Sequence, residues 1–223
     1  MRAIQWITFD LETLPGGDYP KPEELKAPAQ YKKPESILAW QNDPKNLDAA
    51  YKKRALSYIE GKIFCIGFKI DDDPTDVVWD NDEANVIQGF EKKLVDAFYE
   101  RFKTSTIHKC TLVGHNIRHF DLPYLWLRAM KYECKQLLKV IGIRPDDIDF
   151  EDTMMVVCVT DKYKGMASLD KACALFGLPG KGDVDGSMVY DMWKAGKYQK
   201  IADYCKEDVD KTYALAVKLG IIV

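Results

Sequence analysis

The sequence predicts an α/β fold, a mixed sheet flanked by helices, on three observations. A strand-length apolar run, Ala3-Ile4-Gln5-Trp6-Ile7-Thr8-Phe9, lies near the start. Residues 61–70 and 76–80 flank the turn Asp71-Asp72-Asp73-Pro74 and read as an antiparallel hairpin. Beyond residue 82, stretches with helical periodicity alternate with short apolar runs, the order expected when helices cover the faces of a sheet.

Each element has its own signal. The first strand ends at Asp10, and the Pro- and Gly-rich segment 14–22 reads as loop. Residues 23–60 are charged, with helical pattern in pieces broken at Pro34 and Pro44 and a helix expected from about Leu47 to Ile59. This segment reads as a helical insertion after the first strand, too poor in apolar residues to be a domain of its own, so 1–223 reads as one domain. Val86, Phe90, Leu94, Val95, Phe98 and Phe102 put one buried face on a helix over 83–102. Thr111–Gly114 reads as a short buried strand and Ile148–Phe150 as another. Helices are expected at about Leu122–Tyr132, at Ser168–Phe176 with Ser168 as cap and Gly177 as stop, and at Tyr198–Leu219, with a loop over 178–187.

Composition narrows the class. The 223 residues hold 32 Lys and Arg against 35 Asp and Glu, a formal charge of -3. That argues against binding nucleic acid by bulk charge, and leaves room for a local basic groove. The chain has no run of roughly 18 apolar residues, as a membrane span requires. The apolar run after Arg2 is too short for a signal peptide, and a cytoplasmic protein without a membrane partner is expected. The six cysteines are scattered without a CxxC pair, so reduced thiols are expected rather than disulfides or a zinc site.

The chemistry-bearing residues are acids. Asp10 and Glu12 stand two apart at the end of an apolar strand, so both carboxylates project from one side of it. Such a pair either holds a cation or is a solvated strand end. Asp121 precedes Leu122-Pro123, where helix capping alone explains it. Tyr204 and Asp208 share one face of the last helix, which otherwise reads as a solvated charged helix. Oxygen ligands without a Cys or His set favour Mg²⁺ or Mn²⁺.

Together these residues resemble the DEDD 3′–5′ exonucleases. Phe9-Asp10-Leu11-Glu12-Thr13 resembles the family's first motif. Gly114-His115-Asn116 through Phe120-Asp121 resembles the second, with its Asn-x-x-x-Phe-Asp pattern. Tyr204-Cys205-Lys206-Glu207-Asp208 resembles the third in its tyrosine form. The order and spacing are similar to the proofreading domain of family B DNA polymerases and to stand-alone phage and prophage exonucleases. The histidines, at 108, 115 and 119, lie far from Asp208, which fits the tyrosine subtype.

The resemblance implies a ribonuclease H-like fold and two divalent cations, Mg²⁺ or Mn²⁺, held by Asp10, Glu12, Asp121 and Asp208, with Asp10 bridging. It implies that Tyr204 orients the attacking water and that nucleoside 5′-monophosphates leave the 3′ end of single-stranded or frayed DNA. Asn116 and Phe120 are expected near the terminal nucleotides, core packing being the other reading of Phe120, and Leu11 and Thr13 are expected to offer backbone contacts. Arg118, Lys162 and Lys164 are placed to meet phosphates, and Asp152 to supply a supporting hydrogen bond. The insertion, with Tyr31, Trp40 and Tyr51, reads either as a strand-guiding flap or as a helical cover. The alternatives are a 3′–5′ exoribonuclease and a non-catalytic nucleic-acid-binding module working with replication or recombination proteins. Two bound cations would turn the charge of -3 into about +1, with the gain concentrated at the acids.

Overall fold

A computed structural model of the chain describes residues 4–103, 108–159, 167–180 and 182–223. In chain order the elements are β1 (Trp6–Pro15), α1 (Pro34–Gln41), α2 (Pro44–Lys53), β2 (Gly61–Ile70), β3 (Asp76–Trp79) and α3 (Glu83–Phe102). There follow β4 (Thr111–Gly114), α4 (Asp121–Lys131), α5 (Lys135–Ile141), β5 (Phe150–Asp152), α6 (Thr153–Cys158), α7 (Leu169–Leu175), α8 (Val189–Lys194) and α9 (Tyr198–Lys218). The expected Lys162 and Lys164 contacts lie outside the described residues.

The strands form one sheet in the order β3-β2-β1-β4-β5. β2 and β3 pair antiparallel, with Ile66 opposite Val78. β4 runs parallel to both β1 and β5, with Ile7 opposite Leu112 and Val113 opposite Glu151. The sheet is therefore mixed, as the sequence predicts, and β1 is its central strand.

The chain divides into two compact units, residues 1–12 with 63–223, and residues 13–62. In the larger unit, strand alternation sorts β1 onto two faces. Ile7, Phe9 and Leu11 join the main core with Phe90, Leu94 and Phe98 of α3, Leu125 and Ala129 of α4, and Val140 and Ile141 of α5. The opposite face carries Thr8, Asp10 and Glu12, and it is there that Cys205 of α9 meets Asp10. Val113 of β4 packs with Ala216 of α9 in a separate cluster. At the start of α3, the buried Glu83 carboxylate accepts from the Ile63 N–H at 2.8 Å, Arg128 Nε at 2.8 Å and the Tyr132 hydroxyl at 2.7 Å. That one acid ties β2 to α3 and α4.

The smaller unit buries little, Leu14 and Leu25 being its buried large apolar side chains. Pro34 and Pro44 open α1 and α2 instead of breaking them, because the first helical turn needs no amide donor from its leading residues. Asp43 caps α2 by accepting from the Lys45 N–H at 2.9 Å. The helix expected to reach Ile59 stops at Lys53 and tightens into a 3-10 turn over Arg54–Leu56.

Other boundaries shift for local reasons. β1 continues through the acids to Pro15, so the expected loop starts later. β5 begins at Phe150, past the expected Ile148. Phe120, not Asp121, occupies the cap position of α4. Ser168 precedes α7 without a side-chain cap bond, and Gly177 takes the left-handed conformation (φ +70°) just past its end. No helix among the described residues is long and apolar enough to cross a membrane.

Candidate metal centre

Three acids from two elements converge on the α9 face of the sheet. Asp10 and Glu12 of β1 and Asp208 of α9 each offer an oxygen, and these oxygens lie within 4.8 Å of one another. The period-2 spacing on β1 supplies two of them, and α9 delivers the third across the sheet. Burial pushes the Asp10 carboxyl well above the ordinary carboxylate range, and the nearby Asp121 and Asp208 charges push it further. Glu12 is raised by burial, then by Asp10, Asp208, Asp121 and Asp185. Mutually repelling, desolvated carboxylates hold protons or a cation, and hard oxygens favour Mg²⁺ or Mn²⁺.

Asp121 stands apart from this trio. Its side chain is 2% exposed and accepts from the Leu11 N–H at 3.1 Å. The carboxylate thus points back at β1 and does not cap α4. Burial pushes its pKa up to about 7, against the pull of the Leu11 amide. It remains close enough to raise Asp10.

Tyr204 lies one turn before Asp208 on α9, on the same helix face. Burial, followed by the charges of Glu12 and Asp208, pushes its phenol far above the usual tyrosine range. Tyr204 also borders a cavity of about 380 Å³ with Asp183, Lys200, Asp203 and Glu207.

The second motif is held by Asp152, at the end of β5. Its carboxylate accepts from the Asn116 N–H at 2.8 Å, the Arg118 N–H at 3.2 Å and the Met154 N–H at 3.0 Å. Asn116 adopts a left-handed conformation (φ +65°), which asparagine tolerates better than most residues, and its Oδ1 is buried without a hydrogen-bond partner among the described residues. Arg118 is exposed. Phe120 is half-buried, 5.3 Å from the Tyr124 ring and packed on the main core. Leu11 buries its side chain in that core, so only its backbone has a polar role. Thr13 opens the smaller unit, where its hydroxyl donates to the Ala55 carbonyl at 2.7 Å.

Sequence reasoning missed three residues around the trio. Lys211 donates to Asp208 Oδ1 at 2.9 Å and lies 3.6 Å from Asp170, giving Asp208 a cationic neighbour. Its i+3 spacing from Asp208 was the available signal. Cys205 lies against Asp10, its Sγ 3.7 Å from Asp10 Oδ2, and accepts from the Gly67 N–H at 3.2 Å. Asp185, in the segment read as plain loop, lies near enough to Glu12 to raise it.

Comparison with known proteins adds three findings. Residues 144–222, about a third of the chain, match a family described as "Predicted 3'-5' exonuclease related to the exonuclease domain of PolB". That stretch includes Tyr204 and Asp208, but not Asp10, Glu12 or Asp121. The DNA polymerase of Archaeoglobus fulgidus is 24% identical over 152 residues, which is 62% of this chain and 19% of that protein. The family B DNA polymerase of the hyperthermophilic archaeon Pyrobaculum calidifontis superposes with a TM-score of 0.58 at 21% identity, over 98% of this chain and 25% of that one. The chain thus spans only a fifth to a quarter of these relatives. The fold is the ribonuclease H-like α/β fold that the resemblance implies, and residues 144–222 are similar to a family related to a polymerase exonuclease domain.

Proposed function

We propose that this protein is a divalent-metal-dependent 3′–5′ exonuclease that releases nucleoside 5′-monophosphates from single-stranded or frayed DNA. The observation that carries this reading is the convergence of the Asp10, Glu12 and Asp208 oxygens within 4.8 Å. Similarity to the exonuclease region related to family B polymerases supports it. The donor set suits the cation, since the carboxylates are desolvated by burial, held against one another, and free of His or Cys within the trio. Asp10, Glu12 and Asp208 would hold the metal, with Asp121 completing the acidic wall. When bound, a pair of such ions activates a water and stabilises the leaving 3′-oxygen.

The chain's own groups do the positioning. Tyr204 stays a neutral phenol and orients a water by hydrogen bonding, since its raised pKa removes it as a base. Asp121 fixes the backbone between Asp10 and Glu12 through the Leu11 amide. Asp152 fixes the Asn116–Phe120 segment, from which Asn116, Arg118 and Phe120 meet the terminal nucleotides.

The test uses 5′-labelled single-stranded DNA and RNA with Mg²⁺, Mn²⁺ or EDTA. A ladder shortening from the 3′ end of DNA, abolished by EDTA and by Asp10→Asn, is expected. Cleavage of RNA alone would reassign the substrate. Binding without cleavage under every metal would sink the reading in favour of a non-catalytic module.

A further inference from the structure

The smaller unit carries a cleft that the metal centre does not use. It encloses about 420 Å³ and is lined by residues 20–60 of that unit alone. Its volume falls within the range of roughly 300–1,000 Å³ typical of ligand-holding clefts. Leu25, Trp40 and Leu56 supply apolar wall, and Lys26, Lys53 and Arg54 supply cations.

These cations are not equivalent. Arg54 is committed to the unit's own structure. It donates to the Asp18 carbonyl at 2.6 Å and lies 3.7 Å from Glu24 and 3.8 Å from Glu60. The two lining acids are thereby engaged by one arginine. Lys26 and Lys53 are exposed and form no ion pair among the described residues. Two unpaired ammonium groups thus border a cleft whose wall includes a half-buried indole.

Charge separates the two units. Residues 13–62 hold nine Lys and Arg against seven Asp and Glu, whereas the remainder holds 23 against 28. The positive excess of the chain therefore lies in the cleft-bearing unit. An aromatic wall beside exposed ammonium groups is the chemistry that accepts a base and its phosphate without reading sequence.

We propose that this cleft is a second binding site for single-stranded nucleic acid, Trp40 stacking on a base and Lys26 and Lys53 meeting backbone phosphates. The proposal rests on the exonuclease reading for its substrate class. It adds strand affinity that the acidic metal centre does not itself supply.

The test measures binding of fluorescein-labelled dT20 to the full-length chain in EDTA, across a salt series. Hydrolysis of the p-nitrophenyl ester of thymidine 5′-monophosphate with Mn²⁺ serves as a control, since that ester has no strand to fill the cleft. Lys26→Glu with Lys53→Glu alters two exposed, unpaired side chains and should leave folding intact. It is expected to lower the slope of log affinity against log salt by about 1.4 or more, at about 0.7 per strand phosphate contact. The p-nitrophenyl ester rate is expected to stay unchanged. Trp40→Ala is expected to weaken dT20 binding about fivefold or more and Trp40→Phe to retain most of it. Unchanged dT20 affinity and salt slope in the double-lysine variant overturn the proposal and hand the cleft to another class of partner. An inert wild-type protein in the ester and ladder assays would instead overturn the exonuclease reading, while the EDTA binding still decides the cleft.

Discussion

Cys205 lies directly behind Asp10, its Sγ 3.4 Å from the Asp10 carbonyl oxygen and 3.7 Å from Oδ2. The same sulfur accepts from the Gly67 N–H at 3.2 Å. A thiol on α9 therefore contacts both the backbone and the carboxylate of Asp10. Removing it leaves Asp10 free to turn, and a hydrogen bond of this kind is worth about 0.5–1.5 kcal/mol. Cys205→Ala is expected to lower kcat on single-stranded DNA by about two- to tenfold, with Cys205→Ser restoring most of it. An alanine variant as fast as the wild type in the same gel assay would show that the thiol only fills space.

Gly67 is the counterpart on β2. A Cβ built there would stand 2.9 Å from Cys205 Sγ and 3.0 Å from the Cys205 carbonyl oxygen. The carbonyl belongs to a helix and cannot rotate away as a side chain would. Gly67→Ala is expected to cost about 1–3 kcal/mol in urea unfolding. It should also reduce exonuclease turnover, because α9 carries Asp208 and Tyr204.

Asp10→Asn removes a carboxylate that burial and its neighbours already disfavour in the charged form. The variant is expected to lose exonuclease activity by about a thousandfold or more, the loss of several kcal/mol of metal-derived stabilisation. Without metal it should melt no lower than the wild type at pH 8. A clear fall in melting temperature would reveal a structural role for the carboxylate.

Linkage gives the metal-free protein a definite pH dependence. Asp121 is raised by burial to about 7, and Asp10 and Glu12 are raised as well. Above pH 4 the unfolded chain gives up these protons while the folded chain keeps them, so stability falls as pH rises through the folded values. Calorimetry in EDTA should show melting temperature declining from pH 5 to 8. Added Mn²⁺ should recover more at pH 8 than at pH 5, since binding then displaces fewer protons. A melting temperature flat in pH would contradict this.

Glu83 has the opposite sign. Burial alone would raise it, but the Ile63 amide, Tyr132 and Arg128 together hold it below the usual glutamate range. Its contribution is present above the unfolded value near 4.5 and is lost as pH falls through the folded one. Glu83→Ala removes the buried carboxylate that pairs with Arg128, itself 6% exposed, and should cost about 3–5 kcal/mol. Chemical denaturation at pH 7 measures it.

Patterns repeating along one element were legible in sequence. Asp10 and Glu12 share a strand face, and Tyr204 and Asp208 share a helix turn, so residue spacing alone predicts that each pair faces together. The α3 helix was legible for the same reason, its apolar positions recurring over 20 residues. Asp121 was not, because capping and a long-range bond to Leu11 leave the same local signature, and only the tertiary fold chooses between them. α6 was also hidden, since a short, mostly apolar run containing Val156-Val157 resembles a buried strand as much as a six-residue helix. Lys211 looked like one more charge on a charged helix, and its pairing with Asp208 and Asp170 required α7 to be in place. Pro34 and Pro44 looked like breaks because proline carries the same local cue at a helix start as at a helix end.

The continuity of β1 has a mechanical consequence. Glu12 ends the larger unit and Thr13 opens the smaller one, yet both lie within one unbroken strand, Trp6–Pro15. No slack loop separates the acid from the inserted unit, and the return crossing at Lys62–Ile63 likewise falls inside β2. Tension applied to the cleft-bearing unit is therefore transmitted along covalent backbone to Glu12 in one residue and to Asp10 in three.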